Sequence, residues 1–524
     1  MGVYFNPPIH GFEESLRSEI YVDKSGMIAY TNKVLGTKQK YICISRPRRF
    51  GKTMAAEMLN AYYNRGCVSG HMFTGLTAAM GPSYQAHLNQ YNVIFLNMQQ
   101  FLSESSGIEN MITSIQESII TDLQEILPDI KLKSSLTAVL ENLFRTANIP
   151  FIFIIDEWDC IFREYRIDKA SQRIYLDFLR NLLKDRAYVA LAYMTGILPI
   201  KKYGSHSALN MFNEFAMTNP GPLAEYVGFT EAEVKNLCER YQMDYEDMAK
   251  WYDGYCFHKI KSIYSPKSVV DSLLFHCFDN YWSNTESYEA LGEYIKINFD
   301  GLKDAIIQLL AGAKLRIDIR GFTNDMVTFI SYQDVLTLLI HLGYLGYDFE
   351  TREVFIPNKE ISDEFVSAIK STGWNEIITS LNESERLLQS TWRGDALAVA
   401  QAIEKAHNET SIIKYNDENA LSCVISIAYY SARQYYSIVR EMPAGKGFAD
   451  LVFLPRKGYL DKPVMIMELK WDNSADSAVR QIEDKRYTDI IKDNKDNVLL
   501  IGINYDKNTK LHACSIKRFV DICG

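Results

Sequence analysis

A short polar loop near the start of the chain carries the residue types that bind nucleotide phosphates. Gly51, Lys52 and Thr53 follow the apolar run 41–45, and a helical pattern continues over about 54–63. The N–H groups and the positive end of a helix that starts after such a loop attract phosphate oxygens. The lysine of such a loop reaches the β- and γ-phosphates, and the hydroxyl beside it holds Mg²⁺. The spacing therefore predicts a Walker A phosphate loop, with Thr53 as a metal ligand.

The loop departs from the usual pattern at its first position, where Arg46 stands in place of a glycine. A Gly-Lys-Thr triplet is weak evidence on its own, so a second motif is needed to support it. The residues of this loop that we assign to ATP binding are Arg46, Pro47, Arg48, Arg49, Phe50, Gly51, Lys52 and Thr53.

The second motif is an apolar run at 151–155 that ends in Asp156 and Glu157. A continuous apolar run suits a strand that is buried on both faces. Asp156 is placed to bind ATP and its Mg²⁺ through water, and Glu157 to polarise the attacking water as the general base. A buried strand with a polar end is the ordinary alternative, but the two motifs in this order indicate ATP binding.

Two further apolar runs, 92–97 and 189–194, fit strands of the same sheet. Thr195 follows the second run, where a polar side chain can contact the γ-phosphate of ATP or position water. An ordinary strand-terminal threonine is the alternative interpretation. Because the strands alternate with helical stretches, we expect an α/β fold with a parallel sheet and crossover helices.

The bulk properties are those of a folded chain without membrane spans. Its 524 residues favour about two to four domains, and 47% of them are hydrophobic and 23% charged. No run of about 18 apolar residues occurs, and the N-terminus lacks the features of a signal peptide. Nine scattered cysteines without a Cys-x-x-Cys pair favour a reducing compartment and argue against a zinc site. We therefore expect a cytoplasmic protein with no membrane partner.

Helical patterns dominate the middle of the chain. Thr230 and Glu233 have the spacing of a capping box at a helix start, and 251–257 is interpreted as an aromatic turn packed in the core. An amphipathic helix over 334–345 and a hairpin over 347–357 indicate a winged-helix-like unit. No dense basic stripe marks this unit and the chain has a net charge of −9, so packing or inter-domain coupling is favoured over DNA binding.

A second set of charged residues lies on two strand-like runs near the C-terminus. Glu468 and Lys470 alternate along one run and therefore point to the same face. Asp450, on the neighbouring run, can meet Glu468, and two carboxylates suit Mg²⁺, with Mn²⁺ as an alternative. A metal there would activate water and stabilise charge on a scissile phosphate, while Lys470 would orient that water. The set predicts metal-dependent phosphodiester cleavage.

Two more side chains could complete this second site. Glu418, on the helix before the strands, could add a carboxylate ligand, and Gln481, on the helix after them, could position Lys470 or the phosphate. An exposed Glu–Lys ion pair is the common alternative for such a pattern. The run that carries Glu468 is otherwise apolar, however, which predicts burial, and buried charges need a partner or a function.

These residues together resemble a family of bacterial proteins that join an AAA-ATPase-like domain to a C-terminal nuclease-fold domain of the PD-(D/E)xK type. The stretches that carry the resemblance are 21–25, 46–53, 155–159, 195–197, 252–255 and 468–471. It covers nearly the whole chain and implies that the arginine-rich loop is that family's own form of Walker A. It also implies that 21–24 lie near the base or ribose. By the nuclease pattern, Asp450, Glu468 and Lys470 are the core residues, with Ala449 in place of the usual proline.

The motifs and the resemblance together predict an α/β protein with four regions. These are an AAA/ASCE-type P-loop domain at 1–225, a helical lid at 226–325, a winged-helix-like connector at 326–400 and a restriction-endonuclease-like domain at 401–524. We expect an ATPase with a Mg²⁺-dependent nuclease domain, acting as an ATP-gated DNA endonuclease. Such an activity suits defence against foreign DNA or mobile-element biology.

Two alternatives stay open. The chain could be a nucleotide-regulated binding or signalling module that does not cut, or an ATPase that remodels a protein partner. The second alternative predicts a homo-oligomeric ring in which an arginine is supplied in trans. Arg163, Arg166 and Arg173 follow the Walker B strand, and their ordinary interpretation is as surface helix arginines.

Overall fold

The computed structural model describes most of the chain, in ranges separated by short gaps. The described residues are 2–126, 135–200, 209–257, 260–282, 287–297, 299–310, 313–324, 326–372, 375–409, 421, 425, 428–444, 447–456, 459–485 and 497–519. No helix in these ranges is long and apolar enough to cross a membrane. The chain packs as two compact units, Met1–Lys303 with Lys314–Phe365, and Asp304–Ala313 with Val366–Gly524. The finer division into four regions remains a prediction.

A five-stranded parallel sheet forms the centre of the first unit. Its strands are β1 (Tyr41–Ser45), β2 (Asn92–Asn97), β3 (Phe151–Asp156), β4 (Val189–Gly196) and β5 (Asn213–Phe215). They lie in the order β2-β3-β4-β1-β5, and every pairing is parallel. All residues of β1, β3 and β4 are buried, as continuous apolar runs in a parallel sheet require. The predicted parallel α/β sheet is confirmed.

Two helices precede the first strand, and others connect the strands, because parallel neighbours need crossover connections. They are α1 (His10–Arg17), α2 (Met27–Val34), α3 (Lys52–Tyr63), α4 (Tyr84–His87), α5 (Met98–Ser103), α6 (Ile108–Ile126), α7 (Leu136–Ala147), α8 (Cys160–Glu164) and α9 (Lys169–Leu183). Short 3₁₀ turns lie at Gly70–Phe73, Thr77–Met80, Gly221–Leu223 and Ile319–Gly321. Side-chain caps fix three of these helix starts: Asn97 accepts from the N–H of Gln100, Ser135 from that of Ala138, and Asp168 from that of Ser171.

The next part of the first unit contains a small sheet that the sequence did not predict. Its elements are β6 (Phe229–Thr230), α10 (Glu231–Tyr241), α11 (Tyr245–Tyr252), β7 (Tyr255–Phe257), β8 (Ile260–Tyr264) and α12 (Pro266–Phe275). The strands pair antiparallel in the order β6-β8-β7, so the predicted aromatic turn is the end of α11 and strand β7. Its core packing is confirmed, since Tyr252, Tyr255 and Phe257 are buried. The capping box of Thr230 and Glu233 is also confirmed.

A second small sheet contains the predicted hairpin. The elements here are α13 (Ser287–Lys296), α14 (Leu302–Leu310), β9 (Leu315–Arg316), α15 (Tyr332–Leu342), β10 (Gly346–Asp348) and β11 (Glu353–Phe355). β10 and β11 pair antiparallel as expected, and β9 adds a third strand to β11. The predicted helix before the hairpin is confirmed as α15, but it is not amphipathic, because it is buried at every position from Asp334 to His341.

Gly343 brings the end of α15 against the phosphate loop. A Cβ here would lie 2.8 Å from the side chain of Pro47 and 2.9 Å from the Trp282 ring, and φ is +90°. We expect Gly343→Ala to lower the thermal unfolding midpoint more than Gly36→Ala, whose φ is +66° but whose Cβ would meet nothing within 4 Å. Backbone strain costs about 1–3 kcal/mol at either site, and overpacking adds about 1–3 kcal/mol at Gly343 alone. Circular dichroism melts measure the difference, and equal shifts would contradict the contact.

A mixed five-stranded sheet forms the core of the second unit. Its strands are β12 (Tyr436–Ala444), β13 (Gly447–Pro455), β14 (Val464–Trp471), β15 (Val498–Asp506) and β16 (Leu511–Phe519). They lie in sequence order, with β14 and β15 parallel and the other neighbours antiparallel. Helix α16 (Lys359–Thr372) begins in the first unit and ends in the second. The other helices of the second unit are α17 (Asn375–Arg393), α18 (Ala396–Glu409), α19 (Ala432–Tyr435) and α20 (Ala475–Asp484). Val479 and Ile482 of α20 pack on Ile466 and Leu500, which fixes α20 against β14 and β15.

Candidate functional site

The phosphate loop connects β1 to α3 through two residues in the left-handed backbone region. Arg49 has a φ of +68° and Gly51 a φ of +89°. A Cβ on Gly51 would meet nothing within 4 Å, so this glycine serves the backbone turn rather than close packing. The first N–H groups of α3 have no acceptor inside the helix, and the N-cap residue, Gly51, has no side chain that could cap them. The loop therefore presents N–H donors at the positive end of a helix, as anion binding requires.

Lys52, the first residue of α3, is buried beneath this loop. Its Nζ donates hydrogen bonds to the carbonyl oxygens of Arg46, at 3.1 Å, and Pro47, at 2.9 Å. Burial lowers the pKa of Lys52, while the carboxylates of Glu157 and Asp156 oppose that shift. The ammonium group is therefore held in place by weak neutral acceptors, which phosphate oxygens can replace with stronger charge-assisted bonds.

The carboxylate of Asp156, at the end of β3, accepts hydrogen bonds from two of the other predicted residues. The hydroxyl of Thr53 donates to its Oδ2 at 2.7 Å, and the hydroxyl of Thr195 donates to its Oδ1. Thr195 is buried and Asp156 is fully enclosed, whereas Thr53 is exposed at the start of α3. The structure thus brings the three residues together, with Thr195 supporting the carboxylate from inside.

Glu157, directly after β3, has a left-handed φ of +52° and forms an ion pair with Arg163. Burial and the charge of Asp159 raise the pKa of Glu157, and Arg163 opposes that rise. The interpretation of Arg163 as a surface arginine is wrong, because only 9% of its side chain is exposed and it lines the cavity described below. Arg166 and Arg173 do lie at the surface, where they pair with other helix carboxylates.

The side chain of Arg46 is turned into the protein interior, away from the predicted ATP site. It is fully buried, and its guanidinium donates to the carbonyl oxygens of Ser45, at 2.9 Å, and Phe215, at 2.8 Å. It also lies 4.5 Å from the centre of the Phe257 ring. Burial lowers the pKa of Arg46 to about 9. The arginine therefore anchors the loop to β5 and β7, and only its backbone belongs to the phosphate loop.

A cavity of about 1100 Å³ opens over the phosphate loop. The predicted site residues that line it are Arg48, Arg49, Phe50, Gly51, Lys52, Thr53 and Glu157, whereas Arg46, Pro47, Asp156 and Thr195 do not. Tyr21, Val22 and Lys24 line it too, together with the apolar side chains of Met58 and Phe229. The cavity thus has a polar end at the loop and an apolar end that could hold a base, close to where 21–24 were expected.

Sequence reasoning missed two polar residues of this cavity, Asn97 and Gln99, and the partner of a third, Lys24. Asn97 ends β2 directly beside Asp156, and Gln99 accepts a hydrogen bond from Arg163 at 3.4 Å. Lys24 donates to both carboxylate oxygens of Glu233, at 2.7 and 2.6 Å, which joins the N-terminal segment to α10. The signal for Asn97 was present, since it is a polar residue that ends an apolar run. The Lys24–Glu233 pair had no signal, because the two residues are far apart in the sequence.

The second predicted site assembles on β13, β14 and α20 of the second unit. Asp450 accepts the N–H of Leu469 at 2.8 Å, which holds its carboxylate against β14. Lys470 Nζ lies 3.1 Å from Glu468 Oε1, and the amide of Gln481 donates to the same oxygen. The structure thus brings together all four of the predicted residues that it describes. The fifth, Glu418, lies outside the described residues.

Glu468 is buried although it carries a charge in its ionised form. Burial and the nearby Asp450 raise the pKa of Glu468 to about 7, while Lys470 acts in the opposite direction. Within the described part of the chain, its buried Oε2 has no hydrogen-bond partner. Among the residues that the structure describes, no group of three or more acidic, histidine or cysteine side chains is arranged to hold a metal. The geometry therefore offers two carboxylates and a lysine on the neighbouring inner strands β13 and β14, with an amide from α20 beside them.

Two family models match the chain at separate places. Residues 9–205 match the model described as predicted AAA-ATPase, and residues 416–513 match the PD-(D/E)XK nuclease superfamily. The first match contains the phosphate loop, β3 and β4, and the second contains Asp450, Glu468 and Lys470. No curated protein matches the chain.

Solved structures resemble the chain at low sequence identity. The Walker-type ATPase of Pyrococcus abyssi is 12% identical, with 66% of this chain and 94% of that chain covered and a TM-score of 0.36. Cdc6p from Pyrobaculum aerophilum is 11% identical, with 68% and 98% covered and a TM-score of 0.26. The Aeropyrum pernix ORC1 protein in complex with DNA is 10% identical, with 70% and 98% covered and a TM-score of 0.27. TM-scores of this size do not establish a shared function.

Proposed function

Because the chain joins an AAA-ATPase-like domain to a nuclease domain of the PD-(D/E)XK superfamily, we propose that it is an ATP-gated, metal-dependent DNA endonuclease. One observation carries the nuclease half. Glu468 Oε2 is buried without a hydrogen-bond partner among the described residues, and Asp450 lies close enough to raise its pKa. A carboxylate pair in this state favours a cation over solvent or a protein donor. The cavity over the phosphate loop supports the ATPase half.

At the ATP site, each residue has a role that follows from its contacts. Lys52 would exchange its two carbonyl partners for oxygens of the β- and γ-phosphates. Thr53 and Asp156, already hydrogen-bonded to each other, would hold Mg²⁺, and Thr195 would fix the orientation of Asp156. Glu157 would accept the proton of the attacking water while the bond from the β–γ bridging oxygen to the γ-phosphorus breaks.

At the nuclease site, the donor set fits a hard divalent cation. Asp450 and Glu468 would hold Mg²⁺ or Mn²⁺, with waters and the DNA phosphate supplying the remaining oxygens. A bound cation of this kind acidifies a water and offsets charge on the scissile phosphate. Lys470 would orient the attacking water and donate to the phosphate oxygen that gains charge. Gln481 would hold Glu468 by its amide and keep the carboxylate aimed at the site.

Control of cleavage by ATP distinguishes the proposed function from the two alternative functions. A non-cleaving nucleotide-regulated module would keep ATP binding but lack cleavage under any condition. An ATPase that remodels a partner as a homo-oligomer would need an arginine in trans, and Arg163 is occupied within its own site. An endonuclease controlled by ATP would suit defence against foreign DNA or mobile-element biology, in the cytoplasm.

The test is a cleavage assay with the full chain on supercoiled and linear DNA. Mg²⁺ or Mn²⁺ is present or chelated, and ATP, a non-hydrolysable ATP analogue or no nucleotide is added. We expect cleavage only with metal, and a rate that changes at least about tenfold with ATP, equivalent to about 1.4 kcal/mol of coupling. A cleavage rate that is the same with and without nucleotide would contradict ATP gating. ATP turnover without any cleavage would favour the nucleotide-regulated module that does not cut.

A further inference from the structure

A buried arginine contacts the proposed general base of the ATP site. Arg163 on α8 donates to Glu157 Oε2 and, at 3.4 Å, to the side-chain oxygen of Gln99. Its Nε lies 3.6 Å from Asp159 Oδ2. Only 9% of the Arg163 side chain is exposed, and the residue lines the cavity over the phosphate loop. The guanidinium therefore donates hydrogen bonds to Glu157 and Gln99 and makes a longer charge contact with Asp159.

The partner behind Arg163 is itself fixed to the end of β4. Asp159 Oδ2 accepts the N–H of Ile197 at 3.0 Å and that of Leu198 at 2.8 Å. Asp159 is fully buried, so these bonds are not exchanged with water. The N–H of Trp158 donates to the carbonyl of Thr195 at 3.0 Å, which ties the same turn to β4 once more. Asp159 is therefore a fixed, buried negative charge 3.6 Å from the Nε of Arg163, in addition to the ion pair that Arg163 forms with Glu157.

Glu157 needs such a partner more than most carboxylates. It lies in a left-handed backbone conformation, directly after Asp156 and two residues before Asp159. Two neighbouring carboxylates repel its side chain, and the nearby ammonium of Lys52 opposes them but donates its hydrogen bonds to the loop carbonyls. A cation that contacts the carboxylate directly is needed to keep it from turning towards solvent. Arg163 supplies the opposing charge from a fixed position, so the Glu157 carboxylate stays at the polar end of the cavity.

We propose that Arg163 is the positioning residue of ATP hydrolysis, holding Glu157 where it can take the proton of the attacking water. The inference rests on the ATPase half of the proposed function. It assigns Arg163 a role through Glu157 rather than a direct contact with the phosphates. Arg166 and Arg173 lie on exposed parts of the surface and pair with Glu293 and Asp177, so they do not share this role.

The test separates ATP turnover from ATP binding. Single-turnover hydrolysis and the ATP Kd are measured for the wild type, Arg163→Ala, Arg163→Lys and the exposed control Arg173→Ala. We expect Arg163→Ala to lower the hydrolysis rate about 100-fold, because a misplaced catalytic group costs about that much, with the ATP Kd changed less than about threefold. Arg163→Lys keeps the charge and should recover about tenfold of the loss, and Arg173→Ala should match the wild type. Circular dichroism melts check that each variant is folded.

A double variant decides whether Arg163 acts through Glu157. In a Glu157→Gln background, we expect Arg163→Ala to lower the rate by no more than about twofold, because the group that it positions is already gone. A further full loss in that background, or a loss that lies mainly in the ATP Kd, would mean that Arg163 contacts ATP itself and would overturn the inference. An unchanged rate in Arg163→Ala would overturn it as well. A wild type without ATP turnover would instead end the proposed function, and the inference with it.

Discussion

Lys470→Ala is expected to reduce DNA cleavage at least about 100-fold, the cost of removing one donor from a site that stabilises developing charge. Lys470 Nζ lies 3.1 Å from Glu468 Oε1, on the same face of β14 as the proposed metal ligands. Its removal leaves the carboxylates in place but takes away the group that orients water and meets the phosphate. Nicking of supercoiled plasmid with Mg²⁺ or Mn²⁺ measures the effect, with ATP turnover followed in the same samples.

Lys517→Ala is a matched control for this variant. It also removes a lysine from the sheet of the second unit, one that pairs with Glu483 at the surface and is 59% exposed. We expect the control to cleave like the wild type and both variants to turn over ATP at the wild-type rate. Cleavage that survives in Lys470→Ala would place the cutting site elsewhere in the chain or assign the activity to a contaminant, and the nuclease half of the proposal would fail.

Lys52→Ala is expected to weaken ATP binding by about 100-fold or more, because each contact from a charged donor contributes about 1.5–3 kcal/mol. Lys52 is the buried cation of the phosphate loop, and its present acceptors are two backbone carbonyls. Isothermal titration calorimetry with ATP and Mg²⁺ measures the change. Lys235→Ala, which removes an exposed lysine paired with Glu231, should bind ATP like the wild type.

The Lys52→Ala variant also tests whether ATP binding controls DNA cleavage. If ATP controls cleavage, Lys52→Ala should cut DNA at the rate that the wild type shows without nucleotide, whether or not ATP is added. Wild-type levels of ATP-dependent cleavage in Lys52→Ala would contradict a role for this loop in control. Unimpaired ATP binding in the variant would mean that the cavity is not the nucleotide site.

The parts of both sites that were predictable from the sequence are those set by local pattern. Parallel strands end at one sheet edge, so polar residues that follow apolar runs, such as Asp156 and Thr195, are expected to meet. In the same way, side chains alternate along β14, so Glu468 and Lys470 had to share a face. The grouping of these residues therefore needed only the order and period of the apolar runs.

The parts that escaped prediction depend on contacts between distant residues or on short elements. The orientation of Arg46 is decided by Phe215 and Phe257, which lie far along the chain. Strand β7 has three residues, too few for alternation to be distinguished from a turn. Arg163 is near Glu157 in sequence, but their contact depends on the left-handed backbone conformation of Glu157. The residue types around Glu157 do not predict that conformation.

The inward side chain of Arg46 also affects how a phosphate loop of this kind can be recognised from sequence. The arginine satisfies the carbonyl of Phe215 and lies over the Phe257 ring, so a glycine placed there would leave a hollow rather than a better phosphate loop. The arginine that replaces the usual glycine of the motif is thus matched by an aromatic ring that packs against it. In this chain the arginine and the ring opposite it form one packed contact, so the missing first glycine does not by itself mean that the loop has lost its phosphate-binding backbone.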